Sequence, residues 1–279
     1  MMTTSTSTTG IVPTRTAAVL GPLRITIATA VNIIRIKIQA LTLPFYVLTF
    51  LGLPFFELVL VALIYRDNHD LRNYAVVAGT GTALIFAMLF SGGENLEGER
   101  SRGTLGGLFI SPAPRISWLL GFQLSAALEA IPIAVVSVGL GVAIFATPLS
   151  VNVPALLLTL VLLIVCMWGI GMMLSALGTA VRNANQISNM VFPILMPLSG
   201  TMFPISEMPL WLRIPARCLP FGYGMQALVD AMTKNASIAD LGGDLWPLLG
   251  FAIVLPILGA RSFRRLDRYA RLQGHLDMV

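Results

Sequence analysis

The chain has little charge: Asp, Glu, Lys and Arg make up only 11% of its 279 residues, against roughly 25% in a soluble domain. Apolar residues make up 56% instead. A soluble globule of this size cannot bury so much apolar surface, because much of its chain contacts water. The composition excludes an ordinary soluble enzyme, a disordered protein and a nucleic-acid-binding protein. It indicates a polytopic membrane protein.

Cysteine and histidine are also scarce, with two residues of each. Cys166 and Cys218 do not make a disulfide framework, and Cys166 falls inside an apolar run, where a small packing residue is expected. His69 and His275 lie in different segments, and the chain has no CxxC, HExxH or His/Cys cluster. We therefore expect no metal site and no cofactor in this chain.

The apolar runs are long and lack strand-like alternation, which predicts an all-α fold of membrane-spanning helices rather than a barrel. Six runs approach the roughly 20 residues needed to cross the hydrocarbon core. They are Ala40–Tyr65, Tyr74–Phe90, Ile116–Phe145, Val153–Ala180, Ile187–Phe203 and Leu245–Ala260. The transmembrane region then covers residues 40–260, between a disordered tail at 1–21 and a basic tail at 261–279.

Residues 22–39 precede the first predicted span. Arg24, Asn32, Arg35 and Lys37 interrupt an otherwise apolar sequence there. This pattern favours a helix that lies at the cytoplasmic membrane surface. A simple extension of the first span remains open.

The basic residues predict the orientation in the membrane. With the N-terminus inside, 13 of the 18 Lys and Arg residues fall on the cytoplasmic side, which predicts cytoplasmic termini in a bacterial plasma (inner) membrane. The net positive charge then marks the inner membrane face, not a nucleic-acid groove. Five arginines of the basic tail share one helix face. They are Arg261, Arg264, Arg265, Arg268 and Arg271, and they suit either anionic lipid headgroups or a topology anchor.

The segment between the second and third spans, residues 93–115, carries an unusual density of charge. We expect a short polar helix followed by a turn, a shape suited to docking a soluble partner. Gly103 would allow the turn. Its charged residues are Glu94, Glu97, Glu99, Arg100, Arg102 and Arg115. A merely solvated loop is the alternative.

The segment between the fifth and sixth spans, Ser199–Asp230, is too apolar for a free loop and too rich in proline for one span. Prolines end or kink helices, and Trp and Tyr anchor chains at membrane interfaces. We predict short re-entrant helices in the outer leaflet. The residues concerned are Phe203, Pro204, Pro209, Trp211, Pro220 and Tyr223.

Two acids fall within predicted spans, Glu57 in the first and Glu129 in the third. A charge at this depth is costly and usually faces a cavity or a partner. No Lys or Arg is expected at the same depth, so we assign Glu129 and Glu57 to a substrate pathway, where Glu129 would contact a cationic substrate. The alternative is a protonated Glu129 bonded to a carbonyl freed by Pro132.

Two groups of motifs resemble one family. The first comprises Glu99, Arg100, Gly103-Thr104-Leu105 and Ser111-Pro112. The second comprises Ser199-Gly200, Phe203-Pro204, Pro209, Trp211-Leu212, Pro220, Tyr223 and Ala227-Leu228. With six spans in matching order, the chain from about residue 22 resembles the permease subunit of ABC-2 type transporters, closest to the daunorubicin-resistance-like drug exporters.

The resemblance implies a transport mechanism. Two permeases, either two copies or this chain and a sister permease, would surround a central pathway among membrane lipids and export an amphipathic drug-like or lipid substrate. ABC ATPase subunits would dock around Glu94–Leu108 and carry the ATP and Mg, because this chain has no GxxxxGK[ST]. Coupling is implied for Glu94, Glu97, Glu99, Arg100, Gly103, Thr104 and Leu105.

Two other functions remain open. A polysaccharide or lipid-linked glycan exporter of the same family would suit a prominent helix at residues 22–39. An ATP-independent carrier would be a different class, but the sequence lacks the inverted repeats that mark many carriers. A membrane-embedded enzyme would need clustered catalytic groups, and Glu57 and Glu129 are too isolated.

Overall fold

The computed structural model describes residues 15–40, 52–65, 68–104, 107, 114–146, 149–181, 184–201 and 204–272. These residues are mostly helical and include no strand. Their α-helices are α1 (Arg15–Ala40), α2 (Leu53–Ile64), α3 (His69–Ser101), α4 (Arg115–Phe145), α5 (Val153–Val181), α6 (Ala184–Leu198), α7 (Leu210–Arg217), α8 (Pro220–Thr233) and α9 (Gly242–Leu272). A 3₁₀ turn, Ile205–Glu207, precedes α7.

Four helices of the described residues are long and apolar enough to cross a membrane. Their apolar windows are Asp70–Ser91 in α3, Ile116–Phe145 in α4, Val153–Leu177 in α5 and Gly242–Arg265 in α9. They match the second, third, fourth and sixth predicted spans, and the chain is a multi-pass membrane protein. At ~1.5 Å per residue, the 12 residues of α2 and the 15 of α6 fall short of the roughly 30 Å core. The first and fifth spans stay predictions.

Contacts between the long helices give the bundle two distinct ends. Helix α4 runs opposite to α3, since the Arg72 guanidinium near the start of α3 lies over the Phe145 ring at the end of α4. Helices α5 and α9 run in the same direction, with Cys166 against the Leu248 carbonyl and Gly169 against Leu255. At one end the ring of Trp118 near the start of α4 meets that of Phe263 late in α9, edge to face at 6.4 Å. Arg24, Arg102, Arg261, Arg264 and Arg265 lie exposed towards this end, which we call the basic end. At the other, far end, the Asn152 N–H before α5 donates to the Ala231 carbonyl late in α8.

The crossing of α5 and α9 depends on two glycines. A Cβ at Gly259 would collide with the Gly169 carbonyl oxygen, and a Cβ at Gly169 would collide with the Leu255 backbone. The two backbones therefore touch directly. Small residues at such crossings let membrane helices approach closely, and dispersion contacts then hold them together.

Helix α1 runs beside α4 in the same direction. The Thr26 hydroxyl donates to the Ser117 carbonyl at 3.0 Å, and further along both helices the Lys37 ammonium meets the Glu129 carboxylate at 2.8 Å. Between these contacts, a Cβ at Gly121 would lie 2.6 Å from the Thr29 Cβ. The contacts extend over ~16 to 18 Å of helix. Helix α1 therefore runs along α4, whereas the sequence favoured a helix at residues 22–39 that lies at the membrane surface.

Helix α2 packs beside the far half of α4. Leu58 and Val76 are buried together, and a Cβ at Gly141 of α4 would press on both side chains. Tyr65, just after α2, packs on the same cluster as Phe145. The predicted first span, Ala40–Tyr65, is thus represented by α2 alone, because residues 41–51 lie outside the described residues.

We predict that Gly259→Ala lowers thermal stability, whereas Gly250→Ala leaves it unchanged or raises it. Both residues lie in α9, and alanine favours a helix over glycine by ~1 kcal/mol. A Cβ at Gly250 meets open space, but at Gly259 it forces the α5 backbone away, at a cost of ~1 to 3 kcal/mol. The measurement is the temperature at which half of the purified protein stays monodisperse in detergent. Equal midpoints for the two variants would contradict the direct backbone contact.

Candidate functional site

The charged residues after the second predicted span belong to helix α3. This helix continues without a break through Glu94, Glu97, Glu99 and Arg100, and it ends at Ser101. The sequence suggested a separate short polar helix followed by a turn. The structure instead has one helix of 33 residues, ~50 Å long. It therefore extends beyond its apolar window at the basic end.

Helix α3 ends in a left-handed glycine turn. Gly103 has a φ of +69°, and the Thr104 N–H donates to the Glu99 carbonyl at 3.0 Å. This bond from the second residue past the cap back to the last turn is that of a Schellman motif, in which glycine avoids the strain of a Cβ. The turn predicted at Gly103 is confirmed.

The Glu99 side chain ties this turn together. One carboxylate oxygen accepts a hydrogen bond from the Arg102 guanidinium at 2.8 Å, and the other accepts one from the Thr104 hydroxyl. The Glu99 side chain is only 12% exposed, although its partner Arg102 is 40% exposed. Glu99 thus organises the helix end.

The remaining predicted coupling residues differ in their surroundings. Glu94 is exposed on α3, and Gly103 and Thr104 are exposed after it. Glu97 and Arg100 lie on α3, but their side chains are outside the described part of the structure. Leu105 lies outside it entirely. The structure therefore brings together Glu99, Gly103 and Thr104, and it adds Arg102 to them.

Polar contacts inside the bundle support this helix end. Asn95 is buried and donates from Nδ2 to the Ser91 carbonyl at 2.7 Å. The Ser188 hydroxyl of α6 donates to the Leu89 carbonyl at 3.0 Å. Sequence reasoning missed both residues. Ser91 and Asn95 are four residues apart, and this spacing places two polar residues on one helix face. The spacing could have indicated a structural role for Asn95.

Glu129 has a basic partner, so the expectation that no Lys or Arg lies at its depth is wrong. Its Oε2 lies 2.8 Å from the Lys37 ammonium, and the two side chains are 22% and 31% exposed. The position is 14 residues into α4, ~21 Å from its first residue. Lys37 was assigned to a surface helix, and only the parallel course of α1 brings it here. Glu57 lies on α2, but its side chain is outside the described part.

The proline-rich segment at the far end forms two short helices. Pro209 precedes α7 and Pro220 is the first residue of α8, as suits a residue without a backbone N–H. Pro204 precedes the 3₁₀ turn, and Phe203 lies outside the described residues. The short helices agree with the sequence, while their re-entrant placement in a membrane stays a prediction.

Helix α7 presents an apolar surface outward. Leu210, Trp211 and Ile214 are 67 to 74% exposed. The Arg213 guanidinium holds the helix to the preceding turn by donating to the Ser206 and Met208 carbonyls. The exposed tryptophan suits a membrane interface, because its apolar ring can contact the hydrocarbon while its polar N–H contacts water or headgroups.

Helix α8, in contrast, is almost wholly buried. Met225 presses on Gly81 of α3, and Leu163 of α5 presses on Gly224. The Tyr223 hydroxyl donates to the Arg217 carbonyl at 3.2 Å, which fixes the angle between α7 and α8. This helix therefore connects α3 and α5 deep below the far end.

The turn before α9 closes the far end. The Asp240 carboxylate accepts hydrogen bonds from the Ser237 N–H at 2.9 Å and from its hydroxyl at 2.7 Å. These bonds to the charged form lower the pKa of the Asp240 carboxyl below its ordinary value. The carboxylate thus stays charged at neutral pH.

Comparison with known proteins identifies related permeases. The chain is 24% identical over 204 residues to the probable multidrug ABC transporter permease YbhR of Escherichia coli strain K12, and equally to its counterpart in strain O157:H7. The alignment covers 72% of this chain and 55% of each relative. The chain thus spans about half the length of the curated relatives that it matches.

A second comparison, with a protein-family model, matches the residues that form the candidate site. The model described as ABC-2 type transporter matches residues 25–233, which is 209 of the 279 residues. The match begins within α1, includes the end of α3 and the Lys37–Glu129 pair, and ends at the last residue of α8. Because it covers well over half of the sequence, the chain belongs to the ABC-2 type transporter family.

Proposed function

We propose that this chain is the transmembrane permease subunit of an ABC exporter. It would move an amphipathic drug-like or lipid substrate out of the cell, using ATP hydrolysed by a separate nucleotide-binding subunit. The family match carries the permease role, and the multidrug name of the relative supports the cargo. The absence of GxxxxGK[ST] from this sequence supports a separate ATPase, because a chain without this loop lacks the usual phosphate cradle.

The docking point for the ATPase is the basic end of α3. Exposed Glu94 and Arg102 offer charges that a soluble partner recognises. The Glu99 hydrogen bonds to Arg102 and Thr104 hold the helix end in a fixed geometry. A force that the ATPase applies at this point acts on α3, which is one continuous helix. Met225 of α8 packs against Gly81 of α3. Movement of α3 at the basic end would therefore displace α8 at the far end.

In the complete complex a second copy of this chain or a sister permease completes the pathway. The transporter would sit in the bacterial inner membrane with both termini cytoplasmic. The arginines of the basic end support this orientation, since cytoplasmic ends carry the excess of Lys and Arg. The basic end then faces the ATPase, and the α7–α8 segment faces outward.

Glu129 and Glu57 belong to the proposed substrate pathway, with Lys37 as a third member. The ion pair makes the site near Glu129 neutral overall, which disfavours a site for cations alone. One carboxylate oxygen of Glu129 is buried and accepts no hydrogen bond from the described residues, so the proposed pathway contains one unused acceptor beside the ion pair.

Co-purification with an ATPase assay tests the coupling site. We expect Glu99→Ala to reduce ATPase recovery or transport-linked hydrolysis several-fold, because the turn at Gly103 loses both side-chain bonds. The control is Glu207→Ala, which removes an exposed acid at the far end and should leave recovery unchanged. An ATPase that co-elutes equally with wild type and Glu99→Ala, at full activity, would refute this docking point. No ATPase with any variant would favour an autonomous carrier.

A charge swap tests the ion pair. We expect Lys37→Gln and Glu129→Gln each to destabilise the protein by ~1 to 3 kcal/mol, between the values for surface and buried pairs. The double variant Lys37→Glu/Glu129→Lys should recover most of the lost thermal stability and transport. If the double variant recovers its stability but does not transport a cationic dye, the negative charge of Glu129 itself is needed to bind the cation.

Inside-out membrane vesicles test direction and cargo. With ATP and the co-purified ATPase, an exporter should accumulate a fluorescent amphipathic dye inside such vesicles, and vanadate should abolish the accumulation. A lipid-linked oligosaccharide serves as the competing probe. Uptake of the oligosaccharide without the dye would assign the chain to glycan export instead.

A further inference from the structure

Helix α1 has a face that no described helix covers. Thr26, Ile33 and Lys37 face α4, through the Ser117 and Glu129 contacts and the cluster around Trp118. At 3.6 residues per turn, Arg24 and Arg35 lie on the opposite side, and both are exposed. Three turns separate them, so one side of the helix carries a guanidinium towards each end.

A groove of about 640 Å³ runs along the outer side of α1, lined by Leu23, Arg24, Ile27, Ala28, Val31 and Asn32. Its apolar wall is well exposed, with Leu23, Ile27 and Val31 about half accessible. The residues from Leu23 to Asn32 span ~13 Å of helix, close to the ~15 Å of one leaflet's hydrocarbon. The groove therefore has the length of an acyl layer.

The groove is also positively charged. Ion pairs among the described residues join Lys37 to Glu129, Arg102 to Glu99 and Lys234 to Asp230. Neither Arg24 nor Arg35 has an acidic partner within that part of the chain. Since Lys37 is neutralised by Glu129, the two arginines give the outer side of α1 its charge. An apolar wall beside unpaired guanidinium groups complements an amphipathic anion.

We propose that this groove binds an anionic phospholipid from the leaflet at the basic end. The phosphate lies on Arg24, with Arg35 adding to the positive potential, and an acyl chain lies along Leu23, Ile27 and Val31. Lipid is the expected neighbour because α4, against which α1 packs, crosses the membrane. The inference is independent of the cargo and of the coupling site.

Native mass spectrometry with added lipid tests the proposal. The probes are phosphatidylglycerol and phosphatidylcholine with the same acyl chains, added to delipidated protein. We expect preferential retention of phosphatidylglycerol, weakened about fivefold by Arg24→Gln and less by Arg35→Gln, since each basic residue contributes ~1 kcal/mol near anionic lipid. Ala28→Trp, which fills the groove, should displace lipid of both kinds.

Two controls separate this site from general effects. Arg217→Gln removes an exposed arginine at the far end, and Ala143→Trp adds the same bulk to an exposed position of α4. Neither should change retention. Equal retention of both lipids by wild type, or equal losses in Arg24→Gln and Arg217→Gln, would overturn the proposal.

A second copy of the chain is the competing occupant. In a Cys218→Ser background, which removes the exposed native thiol, Ala28→Cys should give no cross-linked dimer with a short bifunctional reagent in lipid nanodiscs. Efficient cross-linking would show that another protein chain covers the groove, and the lipid assignment would then fall.

Discussion

Water is absent from the bilayer core, so every backbone amide that crosses it must bond within its own chain. This constraint accounts for the long helices, and it also governs the buried side chains. The hydroxyls of Thr159 and Ser175 bond carbonyls one turn back in their own helix, Ala155 and Gly171 respectively. Polar residues are thus accommodated inside α5 without a partner from another helix.

Lipid tails are as apolar as the side chains, so helix association depends on close packing. Glycine residues at the helix crossings allow this close packing. Gly169 and Gly259 bring α5 and α9 into backbone contact, and Gly121 admits Thr29 of α1. These contacts fix the frame in which α3 extends from the far end to its glycine turn at the basic end. A transporter needs such a rigid element if force applied at one membrane face is to act at the other.

The ion pairs among the described residues lie at the ends of the bundle, with one exception. The Glu99 network lies at the basic end, and Lys234–Asp230 lies at the far end. The Lys37–Glu129 pair lies well along α4 instead. An ion pair at such depth is costly unless both partners meet, so it also holds α1 in register with α4. The same register leaves Arg24 and Arg35 on the outer side of α1, so one contact determines both the packed and the open surface.

The sequence by itself determined whatever depends on local composition. Hydropathy and length identified the four long helices, the arginines marked one end, and Gly103 marked the turn, because only glycine takes a left-handed conformation without strain. The prolines of the Ser199–Asp230 segment indicated short helices instead of one span. The family motifs fell in the segments that form the end of α3 and the α7–α8 pair.

Only the tertiary structure decided which distant residues meet. Lys37 and Glu129 are 92 residues apart, and a pattern read along one chain contains no information on how α1 lies against α4. For the same reason the sequence suggested a separate short helix after the second span, whereas α3 continues through Gly92 and Gly93, and the Ser188 hydroxyl of α6 donates to its Leu89 carbonyl. Local propensity is worth ~1 kcal/mol per glycine, and burial against a neighbouring helix outweighs it.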